Sequence, residues 1–61
     1  MLAEEKLFRQ AVAALGGEST AKEWLTRPNP ELYGEPPVLW LSTVYGRQRV
    51  SALLSHQIKH P

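Results

Sequence analysis

Residues 26–46 read TRPNPELYGEPPVLWLSTVYG, and the fold of this 61-residue chain turns on whether that stretch is linker, strand or helix. Its first twelve positions, 26–37, hold four of the five prolines (Pro28, Pro30, Pro36, Pro37) and Gly34, one of the four glycines. Proline fixes φ and donates no backbone N–H, so these positions suit neither a helix interior nor a central strand. Prolines at fitting positions also narrow the unfolded ensemble by about 0.4–1 kcal/mol each. Leu32 and Tyr33, set between them, can plug a core or rim it. The segment reads as a rigid, structured crossing rather than slack chain. Pro36 or Pro37 then suits the first turn of a helix, where the missing N–H would go unpaired anyway. Val38, Leu41 and Val44 form one apolar row, flanked by Leu39 and Trp40. Strand competes, because VLWLSTVY is rich in β-formers, but strict alternation is lacking and two prolines precede it. The expectation is a helix that ends at Gly46.

On the N-terminal side, residues 2–15 read as a helix. Phe8, Ala11, Val12 and Leu15 fall at i, i+3, i+4 and i+7 on one stripe, with Glu4, Glu5, Lys6, Arg9 and Gln10 largely off it. Gly16 can take the left-handed conformation that closes a helix. STAKEWL (19–25) restarts one: Thr20 with Glu23 matches a capping box, Ser19 is an alternative cap, and Ala21, Trp24 and Leu25 make the apolar face. Pro28 disfavours helical geometry at Arg27 and so limits this helix. RQRVSALLSHQIKH (47–60) reads as a fourth helix, with Val50, Leu53, Leu54 and Ile58 on one face. The fold class expected is all-α: a single helical domain over 1–61, built as a bundle of about four short helices with a Pro-rich crossing between the second and third.

Composition narrows the function. The net charge is +1 with both signs interspersed, so no basic stripe marks a nucleic-acid footprint. No apolar run approaches the ~20 residues of a membrane span, and the start MLAEEKLFRQ lacks a signal peptide's apolar core. With no cysteine, the pattern fits a cytoplasmic protein. A chain this short buries only about 60% of its unfolded surface, and a disulfide is not available to help. A partner or self-association is the remaining source of stability.

Chemistry-bearing constellations are sparse. His56 and His60 have metal-ligand spacing (i, i+4), but no carboxylate or cysteine nearby completes the three or four ligands zinc needs, so they read as surface histidines. No Ser/His/acid set can be assembled, and LGGES lacks the lysine of a phosphate-binding loop. The expectation is a protein with no enzymatic activity and no cofactor. Trp24 and Trp40 read as core residues, with an interface anchor as the lesser alternative. Arg47 and Arg49 open the fourth helix, where their charge opposes its dipole.

The order of motifs says more than any one of them. Ala21, Trp24-Leu25, Pro28-Asn29, Leu32, Gly34, Pro37, then Thr43 and Gly46, then Val50, Leu53-Leu54 and Ile58 run through two-thirds of the chain. In that order and spacing the chain resembles the toxin-binding domain of the MbcA/ParS/Xre antitoxins, with the antitoxin-like region at 19–60 and an N-terminal helix over 1–17. The resemblance implies an all-helical module that binds and neutralises a RES-type, NAD-consuming toxin in a type II toxin–antitoxin system, commonly as a homodimer. Members usually carry an N-terminal helix-turn-helix domain. Some twenty residues precede AKEWL here, too few for one, so direct DNA binding is not expected. Members also usually continue past the last helix with a glycine and a toxin-blocking tail, where this chain has KHP. The partner-binding candidates are Arg47, Arg49, His56, Lys59 and His60 on the last helix and its end, or the turn around Tyr33. The competing expectations are a self-associating helical protein without a toxin and a DNA-binding regulator.

Overall fold

A computed structural model describes residues 3–58. Three α-helices, Ala3–Leu15 (α1), Glu18–Thr26 (α2) and Val44–Ile58 (α3), surround one core, and two 3₁₀ turns, Pro30–Leu32 and Pro37–Trp40, carry the chain from α2 to α3. The all-α class and the Pro-rich crossing are as expected. Strand is absent among the described residues, apart from an isolated antiparallel bridge between Asn29 and Glu35.

The number of helices differs. The expected helix ending at Gly46 is not formed: the chain makes one 3₁₀ turn after Pro36, and α3 begins at Val44 with Gly46 in its first turn. Two local facts explain this. Thr43 caps α3, its Oγ1 accepting from the N–H of Gly46 (2.9 Å) and its carbonyl from that of Arg47 (3.0 Å). A β-carbon on residue 46 would overlap the carbonyl oxygen of Trp40 and lie 2.7 Å from its carbonyl carbon. The glycine therefore permits a close backbone approach rather than ending a helix.

The junction of α1 and α2 is also tighter than the capping box suggested. Gly16, at φ +88, closes α1 by donating its N–H to Val12 O (2.9 Å). Gly17 is the N-cap of α2 and has no side-chain cap bond, so neither Thr20 nor Ser19 performs that role. The two glycines complete the reversal by residue 18, where Glu18 supplies a carboxylate to the positive end of the helix. At the far end Arg27 is extended (φ −85, ψ 137), the conformation its following proline favours.

The core joins Leu7 and Ala11 of α1, Ala21 and Leu25 of α2, Leu32 and Leu41 of the crossing, and Val50 and Leu54 of α3. The α1 face is turned slightly from the expected stripe: Leu7 and Ala11 are buried, while Phe8, Val12 and Leu15 pack half-buried against them. Of the expected row Val38, Leu41 and Val44, only Leu41 is buried, because no helix aligns the three. Leu53 is half-buried beside Leu54, and the side chain of Ile58 lies outside the described residues. A buried leucine contributes about 1.5–3 kcal/mol, so Leu32, fully enclosed, anchors the crossing as firmly as Leu54 anchors α3. A polar clasp ties α1 to α3: Ser51 Oγ donates to Gln10 Oε1 (2.9 Å), and Gln10 Nε2 donates to Ser51 O (3.3 Å).

Candidate functional site

The crossing is organised by Asn29. Its N–H donates to Glu35 O (3.1 Å), its carbonyl accepts from Leu32 and Gly34 (2.9 Å each), and its Oδ1 accepts from the N–H of Glu31 (2.8 Å). These bonds close a compact loop whose return needs two successive left-handed residues, Tyr33 (φ 60) and Gly34 (φ 79). Glycine takes that conformation without penalty, whereas a side chain there costs roughly 1–2 kcal/mol. The loop turns Leu32 into the core and leaves Tyr33 86% exposed.

Tyr33 is not isolated on the surface. Its ring stacks on Trp40, centroids 6.1 Å apart and planes 18° from parallel. Tyr45, in the first turn of α3, approaches the same indole at 6.3 Å and 38°. Trp40 Nε1–H donates to Glu35 Oε1 (2.9 Å), which fixes the indole about its edge. The result is an aromatic face built from three chain segments, with a carboxylate bound to the indole N–H of its middle residue. Tyr45 is 65% exposed and Leu39, beside Trp40 in sequence, 62%. Exposed aromatics held in a fixed array are typical anchors of protein interfaces, because little side-chain entropy remains to be lost on docking.

The expected site residues divide sharply. Tyr33 is part of this face, stacked on its central residue Trp40. Arg47 and Arg49 do not project as free cations: Arg47 Nη1 donates to Leu41 O (2.8 Å) and Arg49 Nη2 to Glu31 O (3.1 Å), both half-buried. They clamp α3 onto backbone carbonyls of the crossing, and this explains why cations sit near a helix N-terminus. The Nε of Arg49 is enclosed without a partner, a cost its remaining bond to the crossing offsets. His56 is exposed in the last turn of α3, while Lys59 and His60 lie outside the described residues. Of the two tryptophans, Trp24 packs half-buried on the core, and Trp40 does so while also carrying the aromatic face. Glu35 and Tyr45 were not legible as site residues, because nothing periodic links positions 33, 35, 40 and 45.

Elsewhere, an open cleft of about 270 Å³ lies between α1 and α3, with Leu7 and Val44 on its walls and Lys6 and Arg47 among its lining. Among the described residues no three histidine, cysteine, aspartate or glutamate side chains gather as metal ligands. No helix of those residues is long and apolar enough to cross a membrane.

The residues that carry the family motif now have physical roles. Ala21 is fully buried, Asn29 organises the loop, Leu32 plugs the core, Gly34 is left-handed, Thr43 caps α3 and Gly46 admits the Trp40 carbonyl. No curated protein and no solved structure matches the chain. The antitoxin Xre/MbcA/ParS C-terminal toxin-binding domain matches it over residues 10–57, from the middle of α1 through the crossing into α3. That span exceeds half the sequence, and the chain belongs to the family of Xre/MbcA/ParS antitoxin toxin-binding domains.

Proposed function

We propose that this domain neutralises a cognate RES-type, NAD-consuming toxin by binding it, as the protein component of a type II toxin–antitoxin pair acting in the cytoplasm. The family match carries the reading. Within it, the Tyr33–Trp40–Tyr45 face is the docking surface, since Arg47 and Arg49 are already engaged by backbone carbonyls. His56, exposed in the last turn of α3, is a second candidate contact, and Lys59 and His60, outside the described residues, remain proposed contacts from sequence alone. The domain works by binding rather than catalysis and needs no cofactor. Self-association as a homodimer belongs to the same proposal, and sedimentation across a wide concentration range tests it.

Direct DNA binding is not part of the reading. Residues 27–43 separate α2 from α3, whereas a helix-turn-helix joins its helices by about 3–4 residues. The decisive experiment mixes the protein with a RES toxin encoded beside its gene and measures both complex formation by calorimetry and NAD consumption. Micromolar or tighter binding with loss of NAD consumption is expected. Absence of binding at micromolar concentrations defeats the proposal.

A further inference from the structure

We infer that the aromatic face recognises an arginine side chain presented by the protein partner, with Tyr33 and Glu35 as the residues that read it. The inference rests on the toxin-binding reading for the identity of the partner, but its chemistry comes from the face itself. The Tyr33 ring lies near-parallel to Trp40 with centroids 6.1 Å apart and stays open to solvent, at 86% exposure. Such a ring offers the negative face of its quadrupole to a cation. Glu35 spends Oε1 on the indole N–H of Trp40, and its Oε2 has no hydrogen-bond partner among the described residues. Because the indole holds one oxygen, the other is fixed relative to the ring array rather than swept about by a free side chain.

One side chain satisfies both elements. A guanidinium is planar, stacks on aromatic rings, and presents several N–H donors in a fork suited to a carboxylate. A lysine ammonium meets the ring or the carboxylate as a compact, strongly hydrated point charge and matches the pair less well. An aliphatic partner would cover the rings and leave the Glu35 oxygen desolvated, which disfavours it. Three of the chain's four arginines are engaged elsewhere: Arg47 is bound to Leu41 O, Arg49 to Glu31 O, and Arg27 pairs with Glu23 on α2. Tyr33 also holds a left-handed backbone that a glycine would adopt at no cost, so the ring is retained at a local energetic penalty. Strain of this kind accompanies functional positions more often than incidental ones. None of Tyr33, Glu35, Trp40 and Tyr45 belongs to the motif that carries the family resemblance.

The test uses two probes on the intact protein. In the first, a blocked tripeptide Ala-Arg-Leu is titrated while the two indole N–H resonances are followed by NMR, that of Trp40 being identified by its loss in Trp40→Phe. The Trp40 indole should shift progressively while that of Trp24 stays still, and the citrulline peptide, equal in shape but uncharged, should give little shift. Glu35→Gln and Tyr33→Ala should each weaken the arginine peptide by about threefold or more. Equal shifts from the citrulline peptide, or none from either, overturn the inference. In the second, the RES toxin is bound to wild type, Tyr33→Ala and Glu35→Gln, with circular dichroism confirming that the variants fold. Equal affinity of all three also overturns it, and leaves toxin binding standing. A toxin that the wild type does not bind defeats the toxin-binding proposal, while the peptide titration still decides the chemistry of the face.

Discussion

Two regions of this small domain are built on opposite principles. Where α1, α2 and α3 meet, stability comes from burial of side chains from distant parts of the chain, Leu7 and Ala11 against Val50 and Leu54, with the Gln10–Ser51 clasp at their edge. In the crossing it comes largely from short-range backbone bonds around Asn29, with Leu32, Pro37 and Leu41 sent inward, Trp40 half-buried, and the Tyr33 ring kept outside. The first region would fail if its apolar residues were exposed. The second exposes them by design of its backbone, since two left-handed residues turn Tyr33 away from the core. A chain with little apolar material to spare has placed three of its five aromatic side chains in an outward-facing array. That allocation suits a protein whose role is to be covered by another.

The contrast can be broken most severely from the core. Leu54→Ala or Leu32→Ala should cost about 2–5 kcal/mol, since each empties a fully enclosed site. At roughly 4–8 °C per kcal/mol for a domain of this size, thermal unfolding followed by circular dichroism should show a large drop or no cooperative transition. If Leu32→Ala melts like wild type, burial of Leu32 does not anchor the crossing, and the backbone bonds around Asn29 hold it alone. Gly46→Ala comes next: the added methyl meets backbone at Trp40, and about 1–3 kcal/mol is expected from the forced shift, read as a lower urea midpoint together with a moved Trp40 indole resonance. Thr43→Ala removes the α3 cap and should cost about 0.5–2 kcal/mol, without moving that resonance. The smallest effect on stability belongs to Tyr33→Ala, within about 0.5 kcal/mol as for other exposed positions, even though toxin affinity should fall. A comparable loss of stability at Tyr33 and at Leu32 would show that the exposed ring holds the crossing as much as the buried leucine does.

How much of this could be read from the sequence follows the same division. Helical periodicity located Ala21, Leu25, Val50 and Leu54 on buried faces, and glycine and proline marked the turns, because those signals are local and repeat every three to four residues. The crossing was legible as a structured element from its prolines, but not in its details. PVLW is a 3₁₀ turn because the cap at Thr43 starts α3 earlier than Gly46 suggested, and a cap competes with a stop signal only in three dimensions. Phe8 and Leu15 fell on the expected stripe, yet the face turned toward Leu7, a rotation set by how α1 meets α3. For the site, Tyr33 was accessible as a turn residue with an unusual side chain. Arg47 and Arg49 looked like surface cations because their acceptors, the carbonyls of Leu41 and Glu31, leave no trace in sequence. Glu35 and Tyr45 join the face through a ring and an indole N–H, contacts with no periodicity to reveal them.

The approach of Gly46 to Trp40 carries a genetic consequence. What a β-carbon at position 46 meets is a peptide carbonyl, and every amino acid placed at position 40 brings the same one. No second-site change of side chain at 40 can therefore suppress a substitution at 46. A screen for suppressors of Gly46→Ala should return true revertants, or insertions and deletions among residues 41–43 that reset the spacing of the two segments. A single suppressor at 40 would show that the obstacle is the indole and not the backbone behind it.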